Sequence, residues 1–223
     1  MEEMIDKGEM IYKFDNVEFS YGRKIDLKID NLSFYKNKIY LLVGSNGSGK
    51  TTLMKILNGL LKIGSGELFY KNNPIEKNNF EKIRNETVYV HQNPYLFSGT
   101  VFYNLSYGLK IKNISKNQID TKIDNILKRF DMLDFKYRKN RMLSIGEIQK
   151  IALARALVIE PEVIILDEPT ANVDVKSIKI IENILYDLKQ NGKTIIFSSH
   201  NSFFSYNFCD EVVNLENGRL LQK

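Results

Sequence analysis

Eight consecutive residues, Gly44-Ser-Asn-Gly-Ser-Gly-Lys-Thr51, have the make-up of a loop that holds phosphate. Three glycines in so short a run would weaken any packed element, because each costs backbone entropy. They make sense where the backbone curls tightly and turns its N–H groups inward. Those amides, with the N-terminus of a following helix, form an anion site. In this pattern Lys50 reaches the β- and γ-phosphates and the Thr51 hydroxyl ligates Mg²⁺. The run Gly44, Ser45, Asn46, Gly47, Ser48, Gly49, Lys50, Thr51 and Thr52 is therefore the candidate nucleotide cradle. A plain glycine-rich turn is the alternative, and it would not require both glycines, the Lys and the Thr in register.

A second stretch carries acid chemistry. Val163-Ile-Ile-Leu-Asp167-Glu168-Pro169 is apolar up to its end and then presents two carboxylates. Acids at the C-terminal end of a buried parallel strand stand where α/β folds bind ligands. Asp167 is placed to support the Mg²⁺ site. Glu168, one residue on, is placed to orient or deprotonate an attacking water. Taken alone, the pair would read as an exposed turn.

The elements that must position these residues follow from periodicity. Tyr40–Val43 reads as a buried strand, and Leu53, Ile56, Leu57 and Leu60 have helical spacing. Alternating apolar residues open the chain at Tyr12, Phe14, Val17 and Phe19 and resume at Ile25, Leu27 and Ile29. Short strands are expected near Gly66–Tyr70 and Thr87–Val90. From about Asn93 to Glu160 the pattern turns helical, with Ser115 as an N-cap before the stripe Ile119, Ile123, Ile126, Leu127 and Phe130. A helix over about Asp174–Gln190 precedes a buried strand, Thr194–Ser198. Glu211–Leu215 and Arg219–Gln222 form a hairpin about Asn217-Gly218. Strands alternating with helices predict an α/β core with a parallel sheet.

The 223 residues suit one large domain with ample core, and 43% hydrophobic with 26% charged residues is ordinary for a globular chain. No apolar run is long enough to span a bilayer. The acidic start MEEMIDKGEM lacks the apolar centre of a secretion signal. A lone Cys209 excludes an internal disulfide framework and fits a reducing cytosol. The net charge of +5 is spread along the chain without a dense basic run, so no nucleic-acid partner is expected.

A third motif points to a family. Leu143-Ser144-Ile145-Gly146-Glu147-Ile148-Gln149 precedes the helical run Ile151-Ala-Leu-Ala-Arg-Ala-Leu157. The chain here resembles the ATP-binding-cassette (ABC) ATPases, whose signature Leu-Ser-Gly-Gly-Gln lies in this position. The resemblance extends over nearly the whole chain. Tyr21, in Phe-Ser-Tyr-Gly, is similar to the aromatic that stacks on adenine. Gln92, in His-Gln-Asn-Pro, is similar to the glutamine between core and helical lobe that also reaches the metal. Asp174 resembles the loop residue linking two active sites, and His200 the switch histidine at the γ-phosphate. Singly, these positions also read as strand packing, a surface amide and a core histidine. Ile145, Glu147 and Asn172 depart from the common pattern, which leaves the hydrolysis rate open.

The resemblance implies a P-loop NTPase fold with a parallel-sheet core (10–92 and 161–223), an N-terminal antiparallel portion and a helical subdomain inserted at 93–160. It implies hydrolysis of ATP with Mg²⁺, with Glu168, His200 and Gln92 as the catalytic set. It also implies a head-to-tail homodimer or paired ATPase subunit, in which Ser144, Gly146 and Glu147 of one copy contact ATP on the other. Transport would need separate transmembrane permease subunits, so the chain is expected in the cytoplasm, peripheral on the inner face of the membrane. The aromatic segment Asn93–Leu109 is the candidate docking surface, with ordinary packing as its alternative. Asn-Leu-Ser-Tyr-Gly-Leu109 is similar to importer ATPases for tungstate- or molybdate-type oxyanions, which would add a solute-binding protein. The chain ends soon after its hairpin, so an appended regulatory domain is not expected. Leu-Phe-Ser-Gly-Thr100 has an exporter flavour, leaving an exporter of lipid, peptide or drug open. A non-transport ABC ATPase is also open, although a DNA-repair coiled coil has no room and a two-cassette ribosomal type would need a second cassette.

Overall fold

The computed structural model describes residues 8–22, 24–75, 80–171, 173–199 and 209–221. In chain order the strands are β1 (Met10–Phe19), β2 (Leu27–Tyr35), β3 (Ile39–Val43), β4 (Ser65–Tyr70), β5 (Asn73–Pro74), β6 (Thr87–Val90), β7 (Val163–Leu166), β8 (Thr194–Ser198), β9 (Glu211–Glu216) and β10 (Arg219–Leu220). The helices are α1 (Lys50–Leu57), α2 (Glu81–Glu86), α3 (Val101–Ile111), α4 (Lys116–Arg129), α5 (Ile145–Leu157) and α6 (Val175–Gln190). Among the described residues these strands join one sheet in the order β5-β4-β1-β2-β10-β9-β3-β8-β7-β6. The half from β9 to β6 is parallel and the half from β5 to β2 is antiparallel. The C-terminal hairpin joins them, pairing β10 antiparallel with β9 and parallel with β2.

The side-chain alternation of the parallel strands divides the core in two. Ile39 and Leu41, with Ile164, Leu166, Ile195 and Phe197, face one way and share a buried cluster with α3, α4, α5 and α6. Tyr40 and Leu42, with Val163, Ile165 and Ile196, face the other way, against α1 and the inner side of β1, β2 and β4. The helices between β6 and β7 thus bury their stripe on the same core as the sheet. Phe130, the last residue of the α4 stripe, is fully buried there.

Two local departures from simple alternation have physical causes. The apolar phase in β1 slips between Phe14 and Val17, and the structure places a β-bulge there against β4, with Asn16 at φ 50°. One extra residue returns Val17 and Phe19 to the buried side. Ile25, by contrast, does not belong to a strand: β2 starts at Leu27 and Ile25 is half exposed in the preceding loop. Ser115 precedes α4 without a side-chain cap to the backbone; its hydroxyl donates to Gln118 Oε1 instead. The Asn217-Gly218 turn has φ 48° and 75°, the twist that hairpin strands require. The strand after it ends at Leu220, short of the expected Gln222, which lies outside the described residues.

Among the described residues no helix is long and apolar enough to cross a membrane.

Candidate functional site

The parallel register brings the C-terminal ends of β3, β6, β7 and β8 to one edge of the sheet. The phosphate loop leaves β3 there and turns into α1. Gly44 permits that turn: at φ 152° a side chain would collide with the Leu215 carbonyl oxygen and Ser48 Oγ. Gly49, at φ 102°, occupies the N-cap of α1, so the helix starts with its amides pointed at the loop. Lys50 is largely buried, and its Nζ donates to the carbonyl oxygens of Gly44 (2.7 Å) and Ser45 (3.1 Å). The ammonium is thereby held across the mouth of the loop.

Asp167, at the end of β7, is the hub of the site. Its Oδ2 accepts hydrogen bonds from Thr51 Oγ1 (2.8 Å) and the Tyr89 hydroxyl (3.1 Å), and its Oδ1 accepts from Ser198 Oγ (2.8 Å). Three donors hold the buried carboxylate in one orientation and offset its loss of water. Ser198 Oγ also accepts the Glu168 N–H at 3.0 Å. Glu168 is buried and sits at φ 51°, a left-handed backbone that costs a non-glycine residue roughly 1–3 kcal/mol. Strain of that kind persists where the surroundings fix it, here through the Ser198 bond. Burial, then the neighbouring Asp167 carboxylate, pushes the Tyr89 pKa well above the usual tyrosine value.

A cleft of about 330 Å³ is lined by Tyr21, Asp26, Asn46–Thr52, Gln92, Asp167 and Glu168. The chain thus gathers at one place the phosphate loop, both acids, the candidate adenine platform and Gln92. The Tyr21 ring is 61% exposed, stands edge-on to Phe19 at 4.8 Å, and its hydroxyl lies 3.4 Å from Thr52 Oγ1. Asp26 Oδ2 accepts the Tyr21 N–H at 2.7 Å and anchors that loop. Thr51 and Asp167 supply hard oxygen donors from two elements. That set fits Mg²⁺, which takes one or two protein oxygens and completes its shell with phosphate and water.

Ser144, Gly146 and Glu147 are not in this cleft. They form the start of α5, where Ser144 Oγ accepts the Glu147 N–H (3.3 Å) and Glu147 Oε2 accepts the Ser144 N–H (2.7 Å). This reciprocal capping explains a Glu at that position, since Glu and Gln serve equally at the third residue of a helix. The amides of Ile145 and Gly146 have no intrahelical acceptor at a helix start, the arrangement that takes an anion. Asp174 caps α6, accepting from the Ser177 N–H (2.9 Å) and hydroxyl (2.7 Å). His200 and Asn172 lie outside the described residues.

Tyr89 and Ser198 were not singled out from the sequence. Each sits within an apolar strand, where an aromatic or a serine reads as filler. A polar atom close to the strand end that carries the acids was the available signal.

A larger groove, about 650 Å³, runs between β6 and the helical segment. Tyr89, Tyr95, Phe97, Tyr107 and Arg155 line it. Tyr95 is 75% exposed, while Phe97 and Tyr107 pack with ring centroids 4.9 Å apart. Arg155 donates to the Tyr95 carbonyl oxygen (3.1 Å) and weakly to Asn104 Oδ1 (3.4 Å); burial lowers its pKa. No carboxylate pairs with it among the described residues.

Comparison with known proteins finds relatives over nearly the whole chain. A family model for ABC transporters matches residues 27–171. The tungstate uptake system ATP-binding protein TupC of Peptoclostridium acidaminophilum is 33% identical over 206 residues, covering 92% of this chain and 94% of its own. The structure of cbiO1 from Clostridium perfringens, part of the ABC transporter complex cbiONQ, superposes with a TM-score of 0.86 at 32% identity, covering 96% of this chain and 88% of that one. The ATP-binding cassette MJ0796, solved as a dimer in a post-hydrolysis state with ADP and phosphate, superposes at 0.83 with 26% identity over 95% of this chain and 97% of its own.

Proposed function

Since the chain belongs to the ABC transporter family, as an ATP-binding ATPase subunit, we propose that it powers import of a tungstate- or molybdate-type oxyanion through a separate permease. The observation that carries the ATPase chemistry is the convergence of Thr51, Asp167, Ser198 and Glu168 at the mouth of the phosphate loop. The oxyanion reading is supported by the likeness to a tungstate uptake ATP-binding protein along nearly the full length of both chains.

In this reading Lys50 and the loop amides bind the phosphates, and Tyr21 presents its exposed ring to the base. Thr51 and Asp167 would hold Mg²⁺, which would supply positive charge to offset that of the phosphate oxygens. Glu168, its backbone fixed by Ser198, orients a water against the γ-phosphate. Gln92 reaches the same cleft from the end of β6, and His200 completes the γ-phosphate contacts. The start of α5 is exposed and self-capped, so its free amides and the Ser144 hydroxyl are available to the ATP of a second copy. Two chains then close head to tail on two nucleotides, and Asp174 lies in the loop that links the sites. Loss of the γ-phosphate releases those contacts and opens the pair, a ligand-driven shift of population. The aromatic groove beside Asn93–Leu109 receives the permease on the cytoplasmic face, and a solute-binding protein delivers the oxyanion from outside.

The test of the ATPase cycle is Glu168→Gln. With ATP and Mg²⁺ this variant should elute as a dimer in size exclusion while turnover falls by about 10²-fold or more. Wild-type turnover in the variant would remove Glu168 from the reaction. The cargo is tested by uptake of labelled tungstate in cells deleted for this chain, where undiminished uptake would exclude that substrate.

A further inference from the structure

Asp167 has one ligand-facing task in the proposed reaction and three hydrogen-bond donors around it. Thr51 is the metal-site partner. Ser198, fully buried, also fixes the Glu168 backbone. Tyr89 remains, and its hydroxyl donates to Oδ2, the same oxygen that Thr51 bonds. It comes from β6, the edge strand of the sheet; the residue borders the aromatic groove and its side chain packs against the core cluster that holds Ile165. The strand pairing places Tyr89 directly beside Ile165 of β7, two residues before Asp167.

We propose that Tyr89 is a positioning residue for the metal site, its hydroxyl holding the Asp167 carboxylate so that Oδ2 stays beside Thr51 Oγ1. This rests on the ATPase reading above. A carboxylate on one flexible bond samples rotations about its terminal torsion, and a donor on each oxygen removes that freedom. Ser198 restrains Oδ1 and Tyr89 restrains Oδ2. Without the Tyr89 hydroxyl, Thr51 alone would hold Oδ2, and Thr51 must itself turn toward the metal. The preorganised pair would then have to be assembled on binding, which weakens metal-dependent affinity and leaves metal-independent affinity unchanged.

The experiment compares wild type and Tyr89→Phe for binding of a fluorescent, non-hydrolysable ATP analogue, titrated once with Mg²⁺ and once with chelator. Phenylalanine keeps the ring and its packing, so the fold is preserved. The expected result is an analogue affinity about tenfold weaker with Mg²⁺ and unchanged without it, the size of one hydrogen bond to a charged group. Equal losses in both titrations would assign Tyr89 a merely structural role and overturn the proposal, as would no loss in either. Wild type that gains nothing from Mg²⁺ would instead defeat the ATPase reading on which the proposal stands. Tyr89→Met, which fills the wall without a hydroxyl, should reproduce the Phe result.

Discussion

At the phosphate loop, Lys50, Asp167 and Glu168 are 8%, 4% and 7% exposed; the loop's own carbonyls hold Lys50, while Thr51 of α1, Tyr89 of β6 and Ser198 of β8 hold the acids. At the start of α5, Ser144 is exposed, Ile145 is 71% exposed, and the side chains of Ser144 and Glu147 bond each other's backbone, with Arg138 3.7 Å from the second Glu147 oxygen. The first region is preorganised by the fold, its Asp167 carboxylate and Glu168 backbone held through contacts distant in sequence. The second is held by its own cap and leaves the first amides of the helix exposed to a ligand. The difference teaches that, in the proposed head-to-tail pair, one chain would finish the binding side of the site and leave the opposing side as a surface. A buried, cross-braced site binds without assistance, whereas an exposed helix start acts only on what is brought to it.

The largest effect expected from this contrast follows Lys50→Ala. The ammonium is the cationic group held at the loop mouth, and a charge-assisted contact contributes about 1.5–3 kcal/mol. ATP affinity should fall by roughly 100-fold in calorimetric titration of the isolated chain, with little change in unfolding midpoint. Unchanged affinity would mean that the loop does not hold the nucleotide, and the first half of the comparison would collapse.

A smaller effect separates the second region. Glu147→Ala removes one arm of the capping box and should destabilise the chain by about 1 kcal/mol, while Glu147→Gln preserves it. Urea denaturation measures both. In dilute protein neither should alter ATP affinity, because the cleft is lined by none of these residues. A matching loss of affinity in either variant would join the two regions within one chain and erase the distinction.

These regions also differ in what the sequence disclosed. The phosphate loop was legible because its glycines are demanded by backbone geometry; at Gly44 a side chain has no room. The acids were legible because a fully apolar strand ended in them. The bulge at Asn16 was visible as a slipped phase, though it reads as a bulge only once β4 is known to pair there. Glu147 looked like a departure from a family pattern, yet Ser-x-x-Glu before an apolar helix is a capping box in its own right. Tyr89 and Ser198 were hidden because their bonds to Asp167 span 78 and 31 residues. No local pattern encodes such pairings; they follow from the parallel register of β6, β7 and β8. Ile25 misled for the opposite reason, since two-residue spacing alone does not say where a strand begins.

The smallest effect concerns a helix start of the same self-capped kind, at Asp174. The Ser177 hydroxyl and N–H hold its carboxyl below the ordinary aspartate pKa. A pKa depressed by folding means that the ionised cap contributes fully above the unfolded value, near 3.9. That contribution fades as pH falls through the lower, folded value. Asp174→Asn keeps an acceptor for the Ser177 groups but does not titrate. The stability difference between wild type and this variant should therefore be constant above about pH 5 and shrink on acidification below about pH 4. Urea midpoints at several pH values measure it. A difference that stays flat into acid would show that the cap does not depend on the carboxylate charge, and the likeness between the starts of α5 and α6 would then rest on geometry alone.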